Sequence, residues 1–424
     1  MFWKVVYNFI LFPLFVFISL ILCLFNRKIR AGIIGRFKSY KHLKSFINSV
    51  GKNRLIYWFH VASLGEYEQA RPVMSGLKEV EPHALFIMSF FSPSGYNHVD
   101  DDQIDCKIYL PMDFFWIIKK SLRLAKPRKL ILAAYDVWPN LIWSAKSLGI
   151  HTSIFAARFS KNTSKSTIII RQFYKSVYNQ ISTIYTISDN DYNQLSKILF
   201  PSAKPIIRVL GNPRYDQVKQ KSDKFTEERT KSVLLRPKRL IIGSSHIEDE
   251  EMILDSIITL MIDIDDLSLI WVPHEPNQQN IEKIKKYFIS KSLSVELLGN
   301  KEPVDIDTKV IIVDSIGRLS QLYWFGQIAY VGGGFSSGVH NVMEPAIARL
   351  PIFFGPKYDN FPEALELIRV KGGFSIKNGS DLVLGVNNLF KDKKSFLKAS
   401  YSATDVIHRN LGSSTRIVRG IIHD

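Results

Sequence analysis

The sequence predicts an α/β protein with two Rossmann-like, doubly wound domains that face a cleft, preceded by a membrane-anchor helix. From residue 54 onward, short β-rich apolar runs alternate with segments of helical periodicity, which is the pattern of parallel sheets covered by helices. A polar, lysine-rich stretch interrupts the alternation near the middle of the chain. An uncharged apolar run lies at the N-terminus. These three observations define the expected organisation.

The N-terminal element is the apolar run from Val5 to Phe25, which is long enough to cross a bilayer as a helix. A cleavable signal peptide is disfavoured because the run is long and no small-residue cleavage pattern follows it. A buried core helix is the other alternative, and Pro13 argues against it. We therefore expect residues 1–26 to form a single, retained anchor.

Basic residues follow the anchor directly, with seven Lys and Arg side chains between Arg27 and Lys44. An anionic lipid surface attracts each such charge by about 1 kcal/mol, so anionic inner-membrane lipids are expected partners of a juxtamembrane segment at 27–53. The positive-inside rule then leaves the remaining chain on the cytoplasmic side. Nucleic acid is not expected, since the chain has no zinc-finger spacing, RNP-type motif or basic heptad region.

Two sets of strands predict the two domains. In the first, at 54–210, the expected strands are 54–60, 84–90, 129–134, 152–157, 182–187 and 205–210, with helices such as 66–80 and 140–148 between them. The polar stretch at 211–238 is the expected linker. The second domain, at 239–424, has expected strands at 239–244, 267–272, 309–314, 327–333 and 351–355. Ligands of such sheets bind at the carboxyl ends of the strands.

The first motif with chemical meaning is HVASLGE at 60–66, where a strand ends and a helix opens. Its geometry places Glu66 at the expected cleft. A carboxylate there can accept a proton from an attacking hydroxyl. The alternative is that Glu66 only stabilises the helix N-terminal dipole, as acidic residues in a first turn often do.

Two further motifs belong to the second domain. Gly332-Gly333-Gly334 precedes His340-Asn341 and Glu344-Pro345, a glycine-rich strand end followed by polar groups that can hold a phosphate and ribose hydroxyls. GSSH at 243–246 places hydroxyls and an imidazole after the first strand of this domain. An ordinary serine N-cap remains the alternative for this second motif.

The order and spacing of these motifs resemble the lipid A Kdo transferases, which act on 3-deoxy-D-manno-octulosonic acid (Kdo) and have a GT-B fold. The resemblance covers nearly the whole chain. It extends to ARP at 70–72, SPSG at 92–95, YLPMD at 109–113, DVWPN at 136–140, ARFS at 157–160, GNPRYD at 211–216, VPHEP at 272–276, DSIGRL at 314–319 and FGPKYDNFPEA at 354–364.

The resemblance implies transfer of Kdo from CMP-Kdo to a lipid A precursor, with inversion at the anomeric carbon and Glu66 as general base. Asp136 would add a second catalytic carboxylate. The residues expected to bind CMP are Ser245, His246, His274, Gly333, Gly334, Asn341 and Glu344. Arg214, Asn360 and Glu363 are expected to contact the donor sugar or the cleft. Arg36 and Lys38 are expected to face the acceptor or the membrane, with a solvated cationic collar as the alternative.

The chain departs from the family pattern at several positions. The usual ETELWPN is AYDVWPN at 134–140, so Ala134 removes one carboxylate and an acidic role depends on Asp136 alone. The usual PRHP is PHEP at 273–276, where His274 replaces an arginine that could bind phosphate bidentately. Arg214 replaces a usual lysine, and Val339 stands where glycine is common.

We expect no metal cofactor, because amides, a helix N-terminus and nearby cations can stabilise a departing CMP. Asp-x-Asp strings at 263–265 and 305–307 precede strands, so solvated turns are the preferred interpretation of both. Two other functional classes stay open. One is another GT-B enzyme, either a transferase that uses a UDP sugar or a sugar-nucleotide epimerase. The other is a catalytically silent membrane sensor of nucleotide or lipid.

Overall fold

The computed structural model describes residues 2–51, 54–134, 136–159, 167–225, 232–299, 301 and 308–424. The chain forms two compact units, Met1–Gln217 with Gly412–Asp424, and Val218–Leu411. Each unit contains one seven-stranded parallel sheet with helices around it. The predicted pair of doubly wound domains is therefore confirmed.

The first sheet has the strand order β3-β2-β1-β4-β5-β6-β7. Its strands are β1 Ile56–Val61, β2 Leu85–Phe90, β3 Cys106–Tyr109, β4 Lys129–Ala133, β5 His151–Ala157, β6 Thr183–Thr186 and β7 Ile206–Val209. All six residues of β1 are buried, because helices cover both faces of a parallel sheet. The sequence predicted six of these seven strands and missed β3.

The second sheet has the order β10-β11-β9-β8-β12-β13-β14. Its strands are β8 Arg239–Ser245, β9 Ser268–Pro273, β10 Val295–Leu297, β11 Val310–Ile312, β12 Ile328–Val331, β13 Ile352–Phe354 and β14 Gly373–Ser375. The sequence predicted five of the seven, and β10 and β14 were missed. Both omitted strands have three residues and lie at the two edges of the sheet.

Helices cover the sheets in both units. In chain order they are α1 Phe2–Phe25, α2 Arg27–Val50, α3 Leu64–Val80, α4 Pro93–His98, α5 Phe115–Ala125, α6 Pro139–Ser147, α7 Ile168–Tyr178, α8 Asp189–Leu199, α9 Arg214–Ser222, α10 Ile247–Asp263, α11 Gln278–Ser290, α12 Leu319–Leu322, α13 Met343–Ile347, α14 Pro362–Arg369, α15 Gly379–Lys391, α16 Lys393–Arg409 and α17 Ser413–His423. Short 3-10 turns lie at Val233–Leu235 and Tyr323–Phe325.

Helix α1 is long and apolar enough to cross a membrane. It contains a π-helical turn at Tyr7–Leu11, directly before Pro13. Proline has no backbone N–H, so it interrupts the regular hydrogen bonding of the helix, and one turn before it takes the wider π-helical form. One residue, Asn26, separates α1 from α2. Its side chain caps α2 by accepting hydrogen bonds from the backbone N–H groups of Lys28 and Ile29.

The domain boundaries differ from the prediction at two places. The C-terminal helix α17 belongs to the first unit, whereas the sequence assigned residues 239–424 to the second. Its buried residues Ile417, Val418 and Ile421 join the core that contains Tyr57 and Met74. The predicted linker at 211–238 also contains a regular helix, α9. The buried face of α17 packs in the core of the first unit. The helix therefore belongs to that unit, although in sequence it directly follows the second unit.

Candidate active site

Both sheets reverse their strand order at one position, and most of the predicted site residues follow strands at these positions. In the first sheet the reversal lies between β1 and β4, and in the second between β8 and β12. Loops that follow such neighbouring strands diverge and leave a crevice at the carboxyl edge. Glu66 and Asp136 follow β1 and β4. His246 and Gly333 follow β8 and β12.

Glu66 lies in the first turn of α3 and is half-buried. The Ser63 hydroxyl donates a short hydrogen bond to its carboxylate Oε2. Ser63 is the residue that precedes α3, so this bond holds the carboxylate over the helix N-terminus. The second carboxylate oxygen, Oε1, can therefore accept a proton while Oε2 stays fixed.

Asp136 pairs with a histidine that the sequence interpretation did not select. His60, at the end of β1, is fully buried, and its Nε2 lies 3.1 Å from Asp136 Oδ2. The other ring nitrogen, Nδ1, lies 3.0 Å from both the carbonyl oxygen and the hydroxyl of Ser89. Trp138 Nε1 donates to the same Asp136 oxygen at 3.3 Å. Buried partners therefore fix this carboxylate at the reversal point.

Arg36 and Lys38 lie on α2 and have different surroundings. The Arg36 guanidinium donates to the Phe91 carbonyl oxygen at 2.6 Å and lies 4.3 Å from the centre of the Phe91 ring. Burial lowers the pKa of Arg36 to about 10, so the group stays charged at neutral pH. Lys38 is exposed. Arg36 also lines an apolar cavity of about 370 Å³ together with Phe12, Phe15 and Trp138.

Three histidines meet at the carboxyl edge of the second sheet. The rings of His246, His274 and His340 stack with centroids 4.4 to 4.9 Å apart, and His246 Nε2 lies 2.6 Å from His340 Nε2. Burial, reinforced by the two neighbouring imidazoles, lowers the pKa of His340 to about 4. Burial also lowers the pKa of His274. At neutral pH, His274 and His340 therefore offer hydrogen-bonding groups rather than positive charges.

The three ring nitrogens lie within 4.8 Å of one another, close enough to hold a metal ion. Tetrahedral zinc with Zn–N bonds of about 2.0 to 2.1 Å separates two ligand nitrogens by roughly 3.3 Å. The 2.6 Å distance between His246 and His340 is shorter and matches a hydrogen bond in which one Nε2 carries the proton. As it stands, this pair of rings is hydrogen-bonded, and a zinc ion would require the two nitrogens to move apart.

Asp249 connects the two ligand-binding loops predicted for this domain. This fully buried residue in the first turn of α10 accepts from the backbone N–H of His246 at 3.0 Å and of Gly333 at 2.7 Å. It also accepts from the Tyr330 hydroxyl at 2.8 Å. The sequence interpretation missed Asp249, although an acidic residue three positions after a helix cap is a recognisable capping-box signal.

Ser245 and His274 have separate positions in the pocket. A pocket of about 550 Å³ is lined by Ser245, His246, Ile247, His274, Glu275, Asn277, Gln279, Asn280 and Lys283. The Ser245 hydroxyl already accepts from Trp271 Nε1 at 2.9 Å and donates to Glu250 at 3.1 Å. Burial raises the pKa of Glu250. Ser245 is thus held inside the domain, and His274 is the more exposed group that a ligand can contact.

The glycine cluster is required by contacts between backbone segments. Gly333 has φ of +89°, in the left-handed region that favours glycine. A Cβ atom added to Gly334 would lie 2.7 Å from the Gly355 Cα, far closer than real Cβ contacts allow. Loop packing therefore explains part of the glycine pattern, in addition to any approach of a ligand phosphate.

Asn341 precedes α13, and Glu344 lies in its first turn. The side-chain amide oxygen of Asn341 accepts from the backbone N–H of Met343 at 3.1 Å. Glu344 Oε1 is 3.9 Å from Lys221 Nζ and lines a small cavity with Trp324. Among the described residues, neither lines the 550 Å³ pocket that His246 and His274 share.

The remaining predicted residues are scattered along loops and helix starts. Arg214 begins α9, where its backbone N–H donates to the Asn212 side chain at 3.0 Å. Asn360 is exposed in the turn before α14, and Glu363 is buried in the first turn of that helix. Of the two Asp-x-Asp strings, 263–265 ends α10 and precedes β9, as expected for a turn. The string at 305–307 lies outside the described residues.

The comparisons with known proteins agree on one family. Residues 32–217 match the family model of 3-deoxy-D-manno-octulosonic-acid transferase (Kdo transferase). The chain is 28% identical over 376 residues to the 3-deoxy-D-manno-octulosonic acid transferase of Haemophilus influenzae, covering 85% of each chain. It is 28% identical over 342 residues to the enzyme of the same name from Aquifex aeolicus, covering 80% of this chain and 86% of the relative.

The chain is similar to Kdo transferases over most of its length. Its relatives in that family are glycosyltransferases, so the chain is placed among enzymes rather than silent sensors. Solved structures of other enzymes have a similar fold. A UDP-GlcNAc 2-epimerase structure from Neisseria meningitidis superposes with a TM-score of 0.59 at 14% identity, covering 88% of this chain and all of the epimerase chain. That likeness confirms the GT-B architecture and no more.

Proposed function

We propose that this chain transfers Kdo from CMP-Kdo to a lipid A precursor with inversion at the anomeric carbon, as a step of lipopolysaccharide inner-core synthesis. The observation that carries the proposal is Glu66, held by Ser63 in the first turn after β1 at the point where the sheet order reverses. The similarity to Kdo transferases supports Kdo as the transferred sugar, and the donor and acceptor classes are part of the proposal. The geometry supplies a carboxylate with one fixed and one available oxygen.

Transfer requires a base for the acceptor hydroxyl and stabilisation of the departing CMP. Glu66 takes the hydroxyl proton as the acceptor oxygen bonds to the anomeric carbon of Kdo. The bond from that carbon to the phosphate oxygen of CMP breaks on the opposite face, and CMP leaves with the electron pair. The second domain binds the nucleotide in the pocket that His246 and His274 line. Imidazole N–H groups stabilise the developing phosphate charge by hydrogen bonds.

The reaction proceeds without a divalent metal under this proposal. The short distance between His246 and His340 supports it, because 2.6 Å matches a hydrogen bond and is shorter than the separation of two zinc ligands. Chelation of divalent ions should leave the rate of product formation unchanged, and added Zn²⁺ should not raise it. A rate that falls with chelator and returns with one specific ion would contradict metal independence.

The proposed site of action is the cytoplasmic face of the inner membrane. The apolar helix α1 and the cations that directly follow it support this location. Arg36 and Lys38 extend this basic segment, and we propose that the exposed Lys38 meets anionic groups of lipid headgroups or of the acceptor.

The deciding experiment compares Glu66→Gln with the unaltered enzyme, using CMP-Kdo and a Kdo-free lipid A precursor. The amide cannot accept the proton, so kcat should fall by about 10²- to 10⁴-fold with KM for CMP-Kdo unchanged. Glu79→Gln, an exposed position on the same helix, is the matched control and should retain full activity. The Kdo-lipid product is measured by mass spectrometry.

Two results would contradict the proposal. Turnover of Glu66→Gln within twofold of the unaltered enzyme would remove Glu66 as the base. Absence of a Kdo-lipid product from the unaltered, folded enzyme, with product formed from a UDP sugar instead, would replace the donor and favour the rival transferase class. Glu79→Gln guards against general loss of α3 stability.

A further inference from the structure

The N-terminal half of α1 packs on the first domain. Tyr7 is 8% exposed and Phe12 only 2%. The Tyr7 hydroxyl donates to Asp113 Oδ2 at 2.9 Å. Next to it, Asn8 and Asn140 exchange two side-chain amide hydrogen bonds of 3.1 and 2.9 Å. Polar side chains of an apolar helix are thus paired with groups of the folded domain.

Aromatic contacts extend this attachment along α1. The Trp3 ring lies 5.7 Å from Phe173 of α7, and the Phe12 ring lies 5.0 Å from Phe114. One turn further, Phe15 still contacts Trp138 with a centroid distance of 6.0 Å. Contacts with the domain therefore run from residue 3 to residue 15, more than half the length of the helix.

The hydrogen-bond partner of Tyr7 is the buried carboxylate of Asp113. Asp113 is fully buried and accepts from the backbone N–H groups of Asn140 and Leu141, both at 3.0 Å. If residues 2–11 left the domain to cross a bilayer, Asp113 and Asn140 would lose hydrogen-bond partners inside the protein. Buried polar groups without partners are costly, so the docked position of α1 is favoured over an extended one.

The free part of α1 is too short to span. From Phe17 to Phe25 there are nine residues, which rise about 14 Å in an α-helix. The hydrocarbon core of a bilayer is about 30 Å thick. After the single residue Asn26 the chain returns to the first domain, where Ile33 and Leu43 of α2 are buried. The chain therefore leaves the first domain after residue 15 and returns to it in α2, and the segment between is too short to span a bilayer.

The charges beside the free end also oppose a deep insertion. Arg27, Lys28 and Arg30 follow Phe25 within five residues. Arg30 donates to the carbonyl oxygens of Cys23 and Leu24 at 3.0 and 2.8 Å, which keeps its charge at the helix end. These cations belong at the headgroup level, where anionic lipids attract them. The apolar residues between the two ends, such as Phe17 and Ile18, are exposed and can contact lipid tails.

We propose that α1 lies along one leaflet of the membrane and does not cross it, so that Phe2 stays on the same side as the two domains. The interaction surface is the exposed apolar side of α1, and its partner is a single leaflet with anionic headgroups. A helix lying at the interface buries its apolar side by about 5 to 10 Å, which this arrangement permits. The inference concerns topology and does not depend on the transfer reaction.

Cysteine labelling of the full-length protein in bacterial inner membranes tests the topology. In a Cys23→Ser background, Phe2→Cys marks the beginning of α1, and Leu384→Cys marks the second domain; both positions are exposed. Cys106 is buried. With a membrane-impermeant maleimide, both cysteines should react in inside-out vesicles and both should be protected in intact spheroplasts.

The labelling pattern decides between the two topologies. Reaction of Phe2→Cys only in spheroplasts, while Leu384→Cys reacts only in inside-out vesicles, would establish a spanning helix and overturn the proposal. Protection of Phe2→Cys in both preparations until detergent is added would place it within the bilayer and overturn it as well. Since no substrate is used, failure of the transfer assay and failure of this inference are distinguishable.

A second variant tests the cause of the topology. Tyr7→Phe combined with Asn8→Leu removes the polar partners of Asp113 and Asn140 and makes the helix more apolar. A fraction of Phe2→Cys should then become reactive in spheroplasts. Ser19→Leu is the matched control, because it raises apolarity without removing either of these pairings. An equal shift in the control, or none in the double variant, would show that these contacts do not hold α1 in place.

Discussion

The two sheets have similar strand orders, except that in the second sheet β11 lies between β10 and β9, and the crevices at their reversal points carry different polar groups. At β1 and β4 the loops present the carboxylates of Glu66 and Asp136, with His60 buried behind them. In the second sheet the loops after β8, β9 and β12 present three stacked imidazoles, and Asp249 holds a backbone N–H of the last loop. Under the proposed function, this edge of the sheet serves proton abstraction in one domain and anion binding in the other.

The comparison teaches that a doubly wound sheet fixes where chemistry occurs and leaves its type to a few loop residues. Buried pairs behind each crevice maintain this difference: Asp136 with His60 in the first domain, Asp249 with Tyr330 in the second. A change in pH, or a substitution that alters a charge or a hydrogen bond, should therefore affect the stability or activity of the two domains differently. The following experiments test this difference.

The largest expected effect is an opposite pH dependence of stability in the two domains. Burial raises the pKa of Asp113 to about 7, so the folded first domain binds more protons than the unfolded chain between pH 4 and 7. Its free energy of unfolding should fall as pH rises through this window, by about 2 to 4 kcal/mol. Asp113→Asn should remove this dependence in urea unfolding measured by hydrogen exchange.

His340 provides the contrast in the second domain. Its lowered pKa of about 4 means that the folded domain binds fewer protons than the unfolded chain between pH 4 and 6.5. Stability there should fall as pH decreases, by only about 1 kcal/mol because the group is partly screened by solvent. His340→Gln should flatten the curve. The same direction of change in both domains would break the comparison.

Replacing Asp136 tests whether the first crevice needs two carboxylates. Asp136→Asn keeps the shape but removes the charge facing His60, so kcat should fall by about 100-fold, at the lower end of the range for proton-transfer groups. Asp102→Asn, at an exposed loop of the same sheet, is the control. Unchanged kcat with altered melting temperature would assign Asp136 a purely structural role.

His274→Arg tests the second crevice by adding a permanent cation. A guanidinium can bind phosphate through two hydrogen bonds, and a neutral imidazole cannot. The dissociation constant for CMP, measured by calorimetry at pH 7.5, should fall about tenfold, the effect of roughly 1.4 kcal/mol. Lys283→Arg at the pocket rim keeps its charge and should change little. Weaker CMP binding by His274→Arg would show that the histidine stack itself is the binding element.

The smallest expected effect belongs to the basic segment. Lys38→Glu should raise KM for the lipid acceptor a few-fold and leave KM for CMP-Kdo unchanged, because an exposed charge near anionic lipid contributes about 1 kcal/mol. Lys391→Glu, an exposed lysine of the second domain, is the matched control. Arg36 is a poorer probe, since its guanidinium packs on Phe91. Equal loss of affinity for both substrates would contradict a membrane-facing role.

The sequence predicted most of the fold because parallel strands buried on both faces are continuous apolar runs. Trp58 and its neighbours in β1 form such a run, and every residue of it is buried. The missed strands lack this signal: β3 contains Lys107, and β14 is the three-residue segment GFS. The location of α17 was also missed, because an amphipathic pattern predicts a buried face without telling which core receives it.

The site was predicted in part for a related reason. Motifs that follow strands predicted Glu66, Asp136 and His246 as site residues, and the structure places all three after strands at the reversal points. His60 and Asp249 act from behind those loops, and their partners are distant in sequence, so local patterns did not reveal them. The histidine stack needs three separate loops to meet, which only the sheet order brings about.

Helix α17 supplies part of the core of the first domain, although the second domain lies between it and the rest of that domain in sequence. Its residues Ile417 and Ile421 fill the core of the first domain, and Asp424 forms an ion pair with Arg208 at 2.6 Å. During synthesis the strands of the first domain emerge long before residues 413–424, so this part of its core stays open until the whole second domain has been made.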